Sequence, residues 1–350
     1  MGDSEPIVRG AVVQAAPVFL DREATLEKAV ALIHEAGANG AEIVAFPEGF
    51  IPAHPIWFHF HSGTDRHATA LSVELFKNSV EIPGPHIDAL VQAAAEAGTY
   101  VVMGVCEKIS GTFGSMYNTQ VFISPTDGYV GKHQKLMPTV GERLVHRPGG
   151  PDTFGVFPSS FGPVSGLMCG ENSNPLAIFA LTAEATRVHA MAWPNHFPKP
   201  ALPMPEISLT AARAFAQMSK AWVLSASAVV DDRIREMVPL NDTDLEYLAR
   251  DDIGGGSCIV APDTRVVAGP AIGNEELILY ADMDLEVGVK MKLRHDLSGH
   301  YNRPDVFRLL VNKRSAPLIQ SIEDGISATP PMLETLEPPM LEPRDFDDES

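Results

Sequence analysis

The sequence is poor in cysteine and has no long apolar run. Its three cysteines, Cys106, Cys169 and Cys258, are spread over 350 residues. Their odd number and wide spacing exclude a disulfide framework and favour a reducing compartment. No run of 18 apolar residues occurs, which argues against a membrane span. The N-terminal residues lack the basic and apolar regions of a signal peptide. We therefore expect a cytoplasmic protein without a membrane partner.

Basic residues are also scarce relative to acidic ones. The chain has 26 lysines and arginines against 45 aspartates and glutamates, which gives a formal net charge of −19. A surface of this sign repels phosphate backbones and anionic lipids. Nucleic acid is therefore excluded as a partner.

The composition predicts one large domain followed by a tail. The hydrophobic fraction of 45% is sufficient for a sizeable core, and no linker-like composition change interrupts residues 1–320. Residues 321–350 are rich in proline and acid and poor in core-forming residues. We predict a flexible acidic tail there. The near-repeat "PPMLETLEPPMLEP" leaves a docking motif as the alternative.

Strand-like and helix-like segments alternate along the chain, which predicts an α/β fold. Helices are predicted at 21–40, 85–98, 175–185 and 206–220. Strands are predicted at 7–16, 42–48, 99–107, 117–124, 162–168, 187–193, 222–230, 256–261 and 277–282. The "TDG" sequence after residue 124 predicts a hairpin, so we expect a mixed sheet with helices on its outer faces.

The segment "VSGLMCGENSNPLA", residues 164–177, places Cys169 at the end of an apolar run. Asn172 or Asn174 can cap the helix that follows, with Pro175 in its first turn. The bend and the helix dipole favour an exposed, partly ionised thiol, which would be a nucleophile. The alternative is a small buried residue that only packs.

Three charged residues also lie at or near predicted strand ends. Glu48 ends the segment "EIVAFPE", Lys135 follows a β segment, and Glu142 lies in "GERL". A buried carboxylate with a raised pKa could accept the proton of a thiol, and an ammonium group could stabilise negative charge on the substrate. A second carboxylate could orient that ammonium group. Taken singly, each of these residues is more readily explained as a solvated surface charge.

Four separated segments resemble the signatures of the nitrilase branch of the nitrilase superfamily. They are "AFPEGF", "HQKLMPTVGER", "GLMCGENSNPLA" and "DLSGHYNRPDVFRL". The resemblance covers roughly residues 7–311, and the motifs occur in the order of the family. It implies that Cys169 is the nucleophile, Glu48 the general base, Lys135 the stabiliser of the tetrahedral intermediate, and Glu142 an assisting glutamate.

The same resemblance implies a fold and an activity. The fold is a four-layer α-β-β-α sandwich with mixed sheets. The activity is hydrolysis of an organic nitrile to the carboxylic acid and ammonia through a thioimidate and an acyl-enzyme, without a metal or organic cofactor. A homo-oligomer, as a dimer or as a spiral filament, is also implied.

The chain departs from the branch around the expected pocket. The segment "PAHP", which contains His54, stands where Pro-Gly-Tyr-Pro is common, and Gly170 stands where many relatives have tryptophan. Gly170 should enlarge the space beside the sulfur, while Trp57 and Trp193 could form aromatic walls. We expect an aliphatic or arylaliphatic nitrile as substrate.

Three other functions remain open at this stage. An amidase of the same superfamily would use the same residues on a carboxamide. A cysteine–histidine hydrolase would pair Cys169 with a histidine such as His189 or His196. An inactive member could form filaments or bind partners. The spacing of His54 and the histidines that follow it matches no structural zinc pattern, so we expect no metal.

Overall fold

The computed structural model describes residues 3–195 and 203–315. These residues form two six-stranded mixed sheets with helices on their outer faces. The predicted tail at 321–350 lies outside the described residues, and it stays a prediction.

The first sheet has the strand order β12-β1-β2-β3-β4-β5. Strands β1, β2 and β3 are parallel to one another, and the remaining neighbours pair antiparallel. The predicted hairpin is present as β4 and β5. The strand bounds are β1 Ile7–Gln14, β2 Ile43–Ala45, β3 Tyr100–Lys108, β4 Met116–Ser124, β5 Gly128–Gln134 and β12 Leu277–Asp284.

The second sheet repeats this pattern, with the order β11-β10-β9-β8-β7-β6. Its central strands β7, β8 and β9 are parallel, and its outer pairs are antiparallel. The two sheets therefore have the same pairing pattern, although the first takes its edge strand β12 from the C-terminal half of the chain. The bounds are β6 Val156–Phe157, β7 Val164–Met168, β8 Val188–Trp193, β9 Trp222–Ser227, β10 Gly255–Val260 and β11 Val266–Ile272.

Eight helices accompany these sheets in the described part of the chain. They are α1 Arg22–Ala38, α2 Arg66–Asn78, α3 Pro85–Ala97, α4 Pro175–Ala183, α5 Met204–Ser219, α6 Asp232–Met237, α7 Asp242–Leu248 and α8 Glu286–Arg294. No helix among the described residues is long and apolar enough to cross a membrane.

Side-chain alternation along the strands creates three apolar layers. On β1, Val13 faces α1 and α3, whereas Val12 packs between the sheets. On β8, Met191 faces α4 and α5, whereas Ala190 packs between the sheets. The layers are therefore helix, sheet, sheet and helix, and the predicted four-layer sandwich is confirmed.

The parallel strands place the functional segments at one edge of the sandwich. Glu48 follows β2, and Cys169 follows β7 directly. The backbone N–H of Glu48 donates to the carbonyl oxygen of Trp193, at the end of β8, over 3.2 Å. This bond joins the two sheets at the edge where polar side chains of α/β proteins commonly gather.

Candidate active site

A buried ion cluster lies at this edge. The ammonium group of Lys135 is 2.6 Å from Oε1 of Glu48 and 2.6 Å from Oε2 of Glu142. Asn118, the third residue of β4, donates to Oε1 of both glutamates over 2.7 Å. All three charged residues are at most 3% exposed. The structure therefore brings together three side chains that the sequence predicted from separate segments.

The pKa values of Glu48 and Lys135 are both raised, for different reasons. Burial raises the pKa of Glu48 to about 7, and the nearby Glu142 adds to this, while Lys135 opposes it. Burial lowers the pKa of Lys135, but the two carboxylates outweigh burial and leave this pKa above its ordinary value. Lys135 is therefore a permanent cation, and Glu48 can exchange a proton near neutral pH.

Glu142 is held as an anion by several donors. Its Oε2 accepts from the backbone N–H of Thr139 over 2.8 Å, and its Oε1 lies 3.1 Å from Nδ1 of His146. Burial raises the pKa of Glu142, but Lys135 and His146 outweigh burial, so the pKa stays well below the ordinary value. This carboxylate is suited to hold Lys135 charged and in place.

Cys169 occupies a tight turn between β7 and α4. Its φ of +49° lies in the left-handed region, which non-glycine residues adopt only at a cost of about 1–3 kcal/mol. The side chain is 3% exposed. Burial, and next the carboxylate of Glu48, raise the pKa of the thiol to about 12, while Lys135 opposes this. The prediction of an exposed, partly ionised thiol is therefore wrong, because burial and carboxylates outweigh the helix end.

Two asparagines after the cysteine have different roles. Asn174 is the N-cap of α4 and accepts from the backbone N–H of Leu176 over 3.0 Å. Asn172 instead donates to the carbonyl oxygens of Leu167 and Cys169 over 3.1 Å. The sequence left either asparagine open as the cap, and the structure selects Asn174.

Glu171 connects the cysteine turn to the lysine segment. Its Oε2 accepts from the backbone N–H of Met168, and its Oε1 accepts from the backbone N–H of Leu136 over 2.7 Å. The ring Nε2 of His133 lies 3.1 Å from Oε2. The neighbours of Cys169 and Lys135 are therefore fastened to the same buried carboxylate. The sequence analysis gave Glu171 no role, although it lies two residues after Cys169.

The predicted pocket residue His54 has its side chain next to the ion cluster. Its Nδ1 is 3.7 Å from Oε1 of Glu48. The ring is buried, and burial holds its pKa well below the ordinary value, so the imidazole is neutral. Gly170 is exposed, and a Cβ atom added there would have only Oγ1 of Thr139, at 3.9 Å, within 4 Å.

The two tryptophans lie in different parts of the core. Trp193 belongs to the same apolar cluster as Cys169, and its Nε1 donates to Oγ of Ser225 over 3.0 Å. Trp57 is packed in another cluster, edge-on to Phe19, and donates to Oγ of Ser72. A pocket role for either tryptophan stays a prediction.

The geometry does not support a cysteine–histidine hydrolase in which His189 is the base. Both ring nitrogens of His189 are engaged, Nδ1 with Ser165 at 2.7 Å and Nε2 with Asn172 at 3.0 Å. This ring therefore has no free nitrogen to deprotonate Cys169. The other candidate, His196, lies outside the described residues.

Glu48, His54 and Glu142 hold potential metal-ligand atoms within 4.8 Å of one another. The ammonium group of Lys135 contacts both carboxylates of this group. It already supplies the positive charge that the two carboxylates require. That the protein needs no metal stays a prediction.

Comparisons with known proteins identify the family of the chain. Residues 9–292 match the family model described as carbon–nitrogen hydrolase. A protein named nitrilase 2, from an unknown prokaryotic organism, is 36% identical over 91% of this chain and 96% of its own length. An aliphatic nitrilase of Rhodococcus rhodochrous is 34% identical over 91% of this chain and 86% of its own length.

The fold is also found among solved structures. Nit3 of Saccharomyces cerevisiae, a member of branch 10 of the nitrilase superfamily, superposes with a TM-score of 0.63 at 18% identity. The match covers 85% of this chain and 97% of Nit3. The chain belongs to the carbon–nitrogen hydrolase family, as the four sequence motifs implied.

Proposed function

We propose that the protein is a nitrilase that converts an organic nitrile and two waters into a carboxylic acid and ammonia. The observation that carries this proposal is a buried Lys135 shared by Glu48 and Glu142 beside the thiol of Cys169. The same grouping gives an acid–base group, a fixed cation and a nucleophile in one dry site.

Glu48 is the proposed proton acceptor. Its Oε1 is occupied by Lys135 and Asn118, whereas its buried Oε2 has no hydrogen-bond partner among the described residues. The raised pKa of the thiol means that Cys169 does not ionise alone near neutral pH. The thiol proton therefore moves to Glu48 as the sulfur attacks.

The first covalent step joins Sγ of Cys169 to the nitrile carbon. One C≡N π bond breaks, its electron pair goes to nitrogen, and nitrogen takes a proton to give a thioimidate. Lys135 stabilises the charge that builds on the substrate, because an ammonium group acts strongly in a water-excluded site. Glu48 supplies the proton and is again a carboxylate.

Two hydrolytic steps complete the reaction. Glu48 removes a proton from water, the oxygen adds to the thioimidate carbon, and a tetrahedral intermediate forms. Glu48 passes this proton to the nitrogen, which becomes an amino group. Glu48 then takes the hydroxyl proton of the intermediate and delivers it to the amino group, so the C–N bond breaks as the C=O bond forms, ammonia leaves, and a thioester remains on Cys169. A second water, activated in the same way, cleaves the C–S bond and gives the acid and the free thiol.

The same intermediate could instead break its C–S bond and release an amide. Loss of ammonia requires that nitrogen carries the proton when the bond breaks. The pKa of Glu48, raised to about 7, leaves its protonated form acidic enough to donate to an amine near neutral pH. We therefore expect acid as the main product.

We propose aliphatic or arylaliphatic nitriles as substrates. The aliphatic nitrilase among the relatives supports the first class. The open space beside Gly170 supports a substrate of some bulk near the sulfur. Trp193, in the apolar cluster that contains Cys169, offers an apolar neighbour for such a side chain.

We also infer that the protein is a cytoplasmic homo-oligomer, a dimer or a larger filament. All three cysteines are free thiols, as a reducing compartment favours. Large apolar side chains are exposed near the C-terminal end of the described residues, where Phe307 is 76% and Leu310 is 78% exposed. Large apolar side chains exposed within one short segment support an interface there. Light scattering of the purified protein measures the assembly directly.

The test of the activity is ammonia release from matched pairs of nitriles and carboxamides with the same side chain. We expect release from nitriles and its loss in Cys169→Ala. Cys258→Ala is the matched control, because Cys258 is equally buried but lies in β10. Release from amides alone would make the protein an amidase, and release from neither in a broad panel would favour the inactive member.

A further inference from the structure

A chain of buried polar side chains leads from the middle of the second sheet to the backbone of Cys169. In the parallel register of β7 and β8, Ser165 lies beside His189. The Oγ of Ser165 is 2.7 Å from Nδ1 of His189, and Nε2 of His189 is 3.0 Å from Oδ1 of Asn172. The amide nitrogen of Asn172 then reaches the carbonyl oxygens of Leu167 and Cys169.

The chemistry of the acceptors fixes the direction of these bonds. The Nδ2 of Asn172 donates to two carbonyl oxygens, so its Oδ1 must face the imidazole and accept. Burial lowers the pKa of His189 well below its ordinary value, so the ring is neutral. A neutral imidazole has one donor and one acceptor. The proton therefore resides on Nε2, and Nδ1 accepts from the hydroxyl of Ser165.

The ring itself has little freedom to turn. It stacks on Phe215 of α5, with 3.6 Å between the ring centroids and 12° between the planes. His189, Ser165 and Asn172 are each at most 1% exposed. Water cannot replace a lost hydrogen bond at such positions without entering the core, so each bond in the chain depends on its neighbour.

The end of this chain is the strained turn of the cysteine. Cys169 has a φ of +49°, and its carbonyl oxygen is held by Asn172. If the imidazole took the other tautomer, the amide of Asn172 would have to rotate, and its oxygen would then face two carbonyl oxygens. The turn would lose the donor that stabilises it.

We propose that Ser165, His189 and Asn172 form a positioning relay that holds the backbone of Cys169 in its left-handed turn. The relay keeps the sulfur beside Glu48 and Lys135, and it takes no proton from the substrate. This inference rests on the proposed function in so far as Cys169 is the nucleophile. It assigns His189 a positioning role in place of the catalytic role of a cysteine–histidine hydrolase.

The first test measures the tautomer in the intact protein without any substrate. Nitrogen-15 spectra of the full chain with labelled histidine should show Nε2 of His189 protonated and Nδ1 unprotonated from pH 5 to 8. The ring is assigned by its contact with Phe215. A proton on Nδ1, or titration of the ring within this range, would overturn the relay.

The second test compares Ser165→Ala with Ser165→Thr. The alanine variant removes the donor to Nδ1, whereas the threonine variant retains a hydroxyl group. We expect kcat to fall about 10- to 100-fold in the alanine variant, because small misplacements of a nucleophile have effects of this size. The threonine variant should recover most of the loss, and KM should change less than about threefold in both variants.

Two readouts separate positioning from other roles. The midpoint of the pH dependence of kcat/KM should be unchanged in Ser165→Ala, because Glu48 remains the base. The rate at which iodoacetamide alkylates Cys169 should change by about threefold or more. An unchanged kcat and alkylation rate in a folded Ser165→Ala variant would contradict the proposal. A shifted midpoint would make His189 part of the acid–base chemistry, which also contradicts it.

The spectra and the alkylation rate need no nitrile. The relay can therefore fail while the proposed nitrilase activity holds. In the same way, nitrile turnover can be absent while the tautomer and the thiol reactivity are as proposed. The two failures are distinguishable.

Discussion

The two oxygens of Glu48 have different environments, and this difference gives the residue its proposed role. Oε1 is bound by Lys135 and Asn118, whereas Oε2 is buried without a partner among the described residues. A buried carboxylate oxygen without a donor has a high proton affinity. The second carboxylate, Glu142, is fully engaged and stays ionised. One glutamate therefore exchanges protons, and the other orients the lysine.

This division predicts the pH dependence of the reaction. The base must be deprotonated, and the pKa of Glu48 is raised to about 7. We expect kcat/KM to fall about tenfold per pH unit well below 7 and to reach a plateau above about pH 8. The pKa values of Lys135 and Cys169 are both raised, so neither group should titrate in this range. A pH profile with a non-titrating nitrile measures this, and a flat profile from pH 5 to 8 would contradict it.

Much of the site was predictable from the sequence, because its charged residues lie at strand ends in recognisable motifs. The contribution of Asn118 to the site was not predictable, because this residue lies within β4. Nothing in "MYNTQVF" distinguishes it from other strand residues. The state of the thiol was predicted wrongly. The local sequence shows the bend and the helix, but it does not show that the thiol is buried beside a carboxylate from another sheet.

At the scale of elements, the site depends on how two loops are fastened together. The turn after β7 carries Cys169, and the segment after β5 carries Lys135. Glu171 accepts backbone hydrogen bonds from both, from Met168 and from Leu136. The loops therefore keep a fixed separation although they belong to different sheets.

Glu171→Gln should loosen this connection. A glutamine has one acceptor oxygen, so its amide nitrogen would face one of the two backbone N–H groups. A buried donor left without a partner costs about 1–3 kcal/mol, and we expect the free energy of unfolding to fall by that amount. We expect kcat to fall as well, because the two catalytic loops are no longer tied. Denaturant unfolding and steady-state kinetics measure both effects.

The control for this substitution is Glu236→Gln on α6, where the side chain is exposed. Its effect on unfolding should lie within about 0.5 kcal/mol. Equal stability of the two variants would contradict the role of Glu171.

The elements that the sequence predicted are those with clear end signals. The predicted helix 21–40 is α1, capped by Asp21, which accepts from the backbone N–H of Ala24 over 3.1 Å. The sequence analysis did not predict six elements of the described chain, which are α2, α6, α7, α8, β6 and β11. Two of these omissions have identifiable reasons. Strand β11 contains Pro270, which is tolerated because β11 is an edge strand. Helix α8 has no fully buried residue, and the apolar residues of "EVGVKMKLR" recur at every second position, which is the spacing of a strand and not of a helix.

At the scale of the whole molecule, apolar surface is buried in three layers between helices and sheets. The parallel strands of both sheets end near one edge, and the proposed catalytic residues converge there. The sequence predicted the layers through the family resemblance, but periodicity alone predicted only a mixed α/β fold. The assignment of each strand to one of two sheets depends on long-range pairing, such as that of β1 with β12.

The composition of residues 321–350 predicts that they contribute little to the core. A chain ending after Leu318 should therefore unfold at nearly the same temperature as the full chain. Calorimetry of both forms measures this, with ammonia release as a second readout. Loss of solubility or a large fall in the unfolding temperature of the shortened chain would show that the tail prediction is wrong.

The most direct measurement is mass spectrometry of the protein quenched during turnover of a mixture of nitriles. The account predicts an added acyl or imidate mass on the peptide that contains Cys169, and no such mass in Cys169→Ala. Turnover that persists in Cys169→Ala, or an adduct on Cys106 or Cys258 instead, would contradict it.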